Sequence, residues 1–248
     1  MSPHAVVNEF AKMRRLKVGL LAAVMVVGVA GLSVFSSITS PDFADPAKRS
    51  WETLLAGLSL AMPLASPLLL AVLASRQVDI EHQGNGWLSS ATAGLTPGGL
   101  CRVKLAAVGV IVAAGTVLES VLVLGAGLVL GVSKPVPAGL WLGFTLCMAV
   151  TNLVLLAFHI LFAAKIDNQL VGLGVGVLGT LIAVFATGLP AALAHMTPWG
   201  YYALAKAADY QGGHLVMLSP SYPSVAALAV LGAALFLLAT GRFDRQEA

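Results

Sequence analysis

Six stretches of this chain are both apolar enough and long enough to cross a bilayer, and this constrains its fold more than anything else in the sequence. They cover roughly residues 18–37, 53–74, 105–131, 139–164, 170–190 and 224–240. A hydrocarbon core about 30 Å thick takes around 20 residues of helix at a rise of about 1.5 Å each. Inside it every backbone N–H and C=O must find a partner within the chain, which a continuous apolar run achieves only as a helix. Composition agrees: 10% of the residues are charged and 58% hydrophobic, whereas soluble domains carry about a quarter charged residues. The expected fold is an all-α polytopic membrane protein with six transmembrane helices in a single transmembrane domain over residues 1–248.

The first apolar run is longer than the core of a cleavable signal peptide and no A-x-A-like site closes it, so it reads as a span. Basic residues then set the orientation. With the N-terminus inside, Lys12, Arg14, Arg15, Lys17, Arg76, Arg102, Lys104, Lys165, Arg242 and Arg245 fall in inner segments, against Lys48, Arg49, Lys134 and Lys206 outside. This asymmetry predicts both termini in the cytoplasm. Ahead of the first span, Val6, Val7, Phe10 and Met13 recur at helical spacing, with Asn8, Glu9, Lys12 and Arg15 elsewhere on the wheel. The pattern predicts a short amphipathic helix along the inner membrane surface, its basic end drawn to anionic lipid.

Two polar inserts interrupt this apolar chain. The inner one, RQVDIEHQGNGWLSSATAGLTPGGLCRVK from Arg76 to Lys104, joins spans two and three. Within it Trp87, Leu88, Ala91 and Leu95 share one helical face, and T-P-G-G at Thr96 to Gly99 ends the segment. That is either a short amphipathic helix at the membrane surface or a solvated loop tied down by one tryptophan. The outer one, HMTPWGYYALAKAADYQGGHLVMLSPSYP, carries Trp199, Tyr201, Tyr202, Tyr210 and Tyr222. These aromatics predict a belt at the membrane–water interface around a partly helical excursion.

The chain has no phosphate-binding loop, no nucleophile elbow, no H-E-x-x-H and no dinucleotide fingerprint, so an energy source must be a partner, an ion gradient or a lipid-soluble cofactor. Cys101 and Cys147 lie in different segments without metal-ligand spacing and read as ordinary thiols. Of five histidines only His159 falls within a span, too few for a bis-histidine haem site. No metal is expected. Glu119, near the middle of span three, and Asn152 and His159, seven residues apart on one face of span four, form a polar set inside the membrane. They mark either a translocation path or hydrogen bonds that fix helix packing. In span five Gly172, Gly176 and Thr180 form a small-residue stripe, suited equally to packing within the subunit and to a dimer seam.

Taken together, DIEHQGNGWLSSATAGLTPGGLCRVKLAAV and TPWGYY resemble elements in the membrane subunits of ATP-binding-cassette exporters of the second type. The likeness is to permeases of the lantibiotic-immunity and bacitracin-resistance kind, and the six-span layout with a basic amphipathic start is similar. The resemblance implies that the inner insert is a coupling helix, with Glu81, Trp87 and Arg102 as ATPase-coupling positions. It also implies a separate cytosolic P-loop ATPase dimer holding ATP and Mg, and a second permease subunit, identical or homologous. The implied function is export of an amphipathic or hydrophobic compound such as an antimicrobial peptide, a drug or a lipid-like molecule, with no catalysis in this chain. Two rival expectations are a proton-coupled secondary transporter using Glu119 and a non-transporting membrane anchor.

Overall fold

A computed structural model describes residues 3–246. The six spans are the helices α2 (Val18–Ile38), α4 (Trp51–Gln83), α6 (Pro97–Val129), α7 (Ala138–Lys165), α8 (Gln169–Phe185) and α11 (Tyr222–Gln246). Shorter helices decorate both ends: α1 (Pro3–Arg15), α3 (Pro41–Ala44), α5 (Gly86–Thr92), α9 (Ala191–Ala194) and α10 (Tyr201–Leu204). All six long helices are apolar enough to cross a membrane, and α4 and α6 share one buried apolar core with α2, α7 and parts of α8 and α11.

Helices α4 and α6 are each 33 residues long, about 50 Å at 1.5 Å per residue, so both outrun the hydrocarbon core. The apolar windows at 53–74 and 105–131 miss these extensions because Gln77, Glu81 and Lys104 lie in them; the helices continue with Glu81 and Lys104 paired to each other and Gln77 Nε2 donating to Glu9. T-P-G-G proves to be a beginning and not an end. The Thr96 side chain accepts the Gly99 N–H at 3.2 Å and Pro97 occupies the first turn of α6, a position that needs no N–H donor. Likewise Asn168 caps α8 by accepting the Leu170 N–H at 3.0 Å.

The small-residue stripe of α8 packs within the subunit. A Cβ added at Gly176 would lie 2.6 Å from the Ala71 side chain, so α8 and α4 approach closely at this point.

The outer insert departs from the expected belt. Trp199, Tyr201 and Tyr202 are buried, and only Tyr210 and Tyr222 are exposed. Trp199 packs edge-to-face on Phe158 of α7, with ring centroids 5.1 Å apart, and fills the space beside Gly179 midway along α8. The short helices after α8 therefore turn back into the bundle, where irregular backbone is sheltered by protein. The chain then leaves through an antiparallel hairpin, β1 (Ala208–Gln211) with β2 (His214–Met217), turned by Gly212 and Gly213 at positive φ. Its strands are four residues each, too short for hydrophobic periodicity to register.

Candidate functional site: a charged platform beneath an exposed helix

At the end of the bundle that holds α1 and α5, four charged side chains close a ring. Lys104 Nζ lies 2.8 Å from Glu9 Oε2 and 2.6 Å from Glu81 Oε1; Lys12 Nζ lies 2.8 Å from Glu9 Oε1 and 2.7 Å from Glu81 Oε1. The two acids and two bases cancel. Lys104 is fully buried and also donates to the Gln77 carbonyl at 2.9 Å, so its three N–H groups each have an acceptor. Gln77 Nε2 donates to Glu9 at 3.1 Å. Full pairing of Lys104 is what allows its charge to sit away from water, although Gln77 Oε1 beside it is buried without a partner.

Burial opposes ionisation of Glu9, but Lys104 and Lys12 outweigh it and hold its carboxyl below the ordinary range. Burial also works against the Lys12 ammonium, and Glu81 and Glu9 override it to raise its pKa. The ring sets the orientation of α1, and of the expected apolar face only Met13 turns inward. Glu9 and Met13 face the protein, while Val7 and Phe10 are 64% and 42% exposed, because pairing with Lys104 is available to Glu9 only on the inner side.

The ring carries α5. A Cβ at Gly86, the first residue of α5, would fall 2.1 Å from Glu81 Oε2 and 2.8 Å from its Cα, so glycine lets the helix start directly on the Glu81 turn. Asn85 supplies the left-handed residue (φ 50°) that breaks α4 from α5, a conformation asparagine tolerates. Trp87 Nε1 donates to His82 Nδ1 at 3.3 Å, leaving His82 Nε2 to donate to the Ala163 carbonyl of α7 at 2.9 Å. Arg102 donates to Thr240 at 2.9 Å and to Asp244 at 2.9 Å, tying α6 to the last turns of α11. Above this platform α5 buries none of its residues, and Leu88 is 66% exposed.

The structure thus separates the three residues of the inner insert. Glu81, 2% exposed, lies inside the ring and presents no carboxylate to another protein. Trp87 anchors α5 from beneath, and Arg102 is half-buried against α11. The pairing of ring members Glu9, Lys12 and Lys104, and of Gln77 beside them, escaped sequence reasoning. The only hint was a lysine and a glutamine just beyond apolar windows, each positioned to extend a helix.

The intramembrane set is arranged differently. Asn152 Nδ2 donates to Thr116 Oγ1 at 2.8 Å, and the Tyr202 hydroxyl donates to Asn152 Oδ1. Asn152 therefore pins α7 to α6 and to α10. Glu119 is fully buried and neither of its carboxylate oxygens has a partner. Two turns along α6 from Glu119, Gly127 packs on Trp51 and Leu54 of α4, and the buried Ser59 hydroxyl of α4 is also unpartnered. His159 lies two turns along α7 from Asn152, with its ring 6.1 Å from that of Trp199 and its Nε2 unpartnered. Asn152 and His159 thus meet different neighbours.

These features define a multi-pass membrane protein with an exposed helix mounted on a rigid, charge-paired end. Residues 5–198 match the family described as ABC-2 family transporter protein, and the chain belongs to that family of transport membrane components. The matched stretch contains the whole ring, α5 and the first five spans. No curated protein compared with the chain matches it.

Proposed function

We propose that this chain is the permease subunit of an ATP-binding-cassette exporter, moving an amphipathic or hydrophobic compound outward with energy from a separate ATPase. In this reading α5 is the coupling helix, both termini are cytoplasmic, and two such permeases, identical or homologous, flank the path in a bacterial cell membrane. ATP and Mg belong to the partner. The observation that carries it is the combination of an exposed α5 with a base tied by ion pairs and hydrogen bonds to the neighbouring helices. A helix on a flexible loop would dissipate a push, whereas one seated on Glu81 and tied to α6, α7 and α11 passes it to the spans as a rigid-body displacement.

The roles of the three insert residues follow their positions. Leu88 and the rest of the open face of α5 meet the ATPase; Trp87 and Glu81 seat the helix; Arg102 hands the displacement to α11. The test is purification of the full chain from its native membrane with identification of what stays bound. A P-loop ATPase is expected, and Leu88→Asp is expected to lose it while membrane insertion stays unchanged. Full retention by Leu88→Asp would remove α5 from the contact.

One observation favours a second reading. The unpartnered Glu119 suits a proton site, and a proton-coupled transporter would stop when the proton gradient is collapsed with ATP present. Continued export under that condition retains the ATP-driven reading.

A further inference from the structure

The ring binds α1 to the base of α5, while the opposite face of α1 is left open. Along that face Val7, Phe10, Ala11 and Arg14 follow one another at helical spacing and all are exposed, with Arg15 and Lys17 beside them. Lys17 takes a left-handed conformation (φ 53°), so α1 breaks from the axis of α2 immediately before the first apolar residue of the span. Arg14, Arg15 and Lys17 make no ion pair among the described residues. Of the carboxylates at this end, Glu9 and Glu81 are spent on Lys12 and Lys104, Asp244 pairs with Arg102, and Asp79 accepts from Gln83 without meeting a cation. An apolar stripe ending in unpaired cations at the mouth of a span fits an anionic bilayer surface.

We propose that α1 is a sensor of anionic lipid, wired through the Glu9–Lys12–Glu81–Lys104 ring to α5, so that lipid charge sets how firmly the coupling helix is held. This rests on α5 being the coupling helix. Lipid headgroups draw the cations and the Val7 and Phe10 side chains into the interface. Since Glu9 and Lys12 on the reverse side of α1 contact Lys104 and Glu81, any tightening of α1 restricts the turn on which Gly86 sits.

The test follows amide hydrogen exchange in peptides from α1, α5 and α7, with the purified full chain in vesicles of phosphatidylcholine or of phosphatidylcholine mixed with phosphatidylglycerol. The anionic lipid is expected to slow exchange in α1 by roughly thirtyfold, the product of two arginines at about 1 kcal/mol each, and to slow α5 as well, with α7 unchanged. In Arg14→Gln/Arg15→Gln both responses disappear. In Glu9→Gln/Lys12→Met, which leaves the buried Lys104–Glu81 pair balanced, α1 still responds and α5 does not. An α1 indifferent to phosphatidylglycerol, or an α5 response that survives either double variant, overturns the proposal. The same holds if α1 is protected only when the ATPase is added, which would make the basic face a protein contact. Arg14 and Arg15 are exposed, so their variant decides the matter even if the ring variant misfolds. The lipid and variant readouts are taken without an ATPase, so their failure is distinct from failure of the export reading.

Discussion

Glu81 and Glu119 are both buried carboxylates on long spanning helices, and their surroundings treat them in opposite ways. Glu81 receives two ammonium groups within 2.7 Å and shares them with Glu9. Glu119 receives nothing. The first arrangement is a joint: each member is held by two others, and removing one strands the rest. The second contributes no bond to the bundle, so its presence costs stability and its value must lie elsewhere. The contrast teaches that in this fold burial of a charge does not by itself mark function or structure; the completeness of its partnership does.

The contrast is broken most severely at Lys104. Lys104→Met leaves two carboxylates facing one lysine and is expected to cost about 3–5 kcal/mol, read as a lower midpoint of thermal unfolding in detergent. Adding Glu9→Gln should recover most of the loss; a double variant no better than the single would show that the four residues do not act as a unit. Next in size is Tyr202→Phe. It leaves Asn152 Oδ1 without a donor inside the bundle, at about 1–3 kcal/mol, and should speed hydrogen exchange in α10 while α5 keeps its protection. Glu119→Gln sharpens the other side of the comparison. With no partner to lose, it should move stability by less than about 1 kcal/mol, and a loss as large as that of Lys104→Met would mean that Glu119 is held by something in the assembled transporter.

The smallest effect concerns pH. Glu9 is held below its ordinary value of 4.5 and Lys12 above its ordinary 10.5. The stability Glu9 gains is present above its unfolded value and lost as pH falls through the folded one. That of Lys12 is present below its unfolded value and lost as pH rises through the folded one. The ring contribution is therefore flat between about pH 4.5 and 10.5, and unfolding midpoints of wild type and Glu9→Gln/Lys12→Met should differ by a constant amount across it. A difference that varies near neutrality would point to another titrating group.

The legible part of this protein is what local hydrophobicity encodes. Six spans, the helical form of the N-terminal segment and the short helix from Gly86 all follow from patterns within a few residues. Glu119 and Asn152 were visible as polar residues in apolar runs, because a span has few of them. Reading the outer aromatics as an interfacial belt went astray at Trp199, Tyr201 and Tyr202: aromatic content reports a preference for amphipathic surroundings, and the polar end of Tyr202 found Asn152 inside the bundle instead of water.

The chain alone determined that this is a helical membrane protein with six segments long and apolar enough to cross the bilayer, since backbone hydrogen bonding in hydrocarbon admits few answers to runs of this length. Only the tertiary structure decided which way α1 turns and what supports α5. The partners that settle both, Glu9 with Gln77 and Lys104, stand 68 and 95 residues apart, and electrostatic pairing depends on distance in space, which no local pattern records.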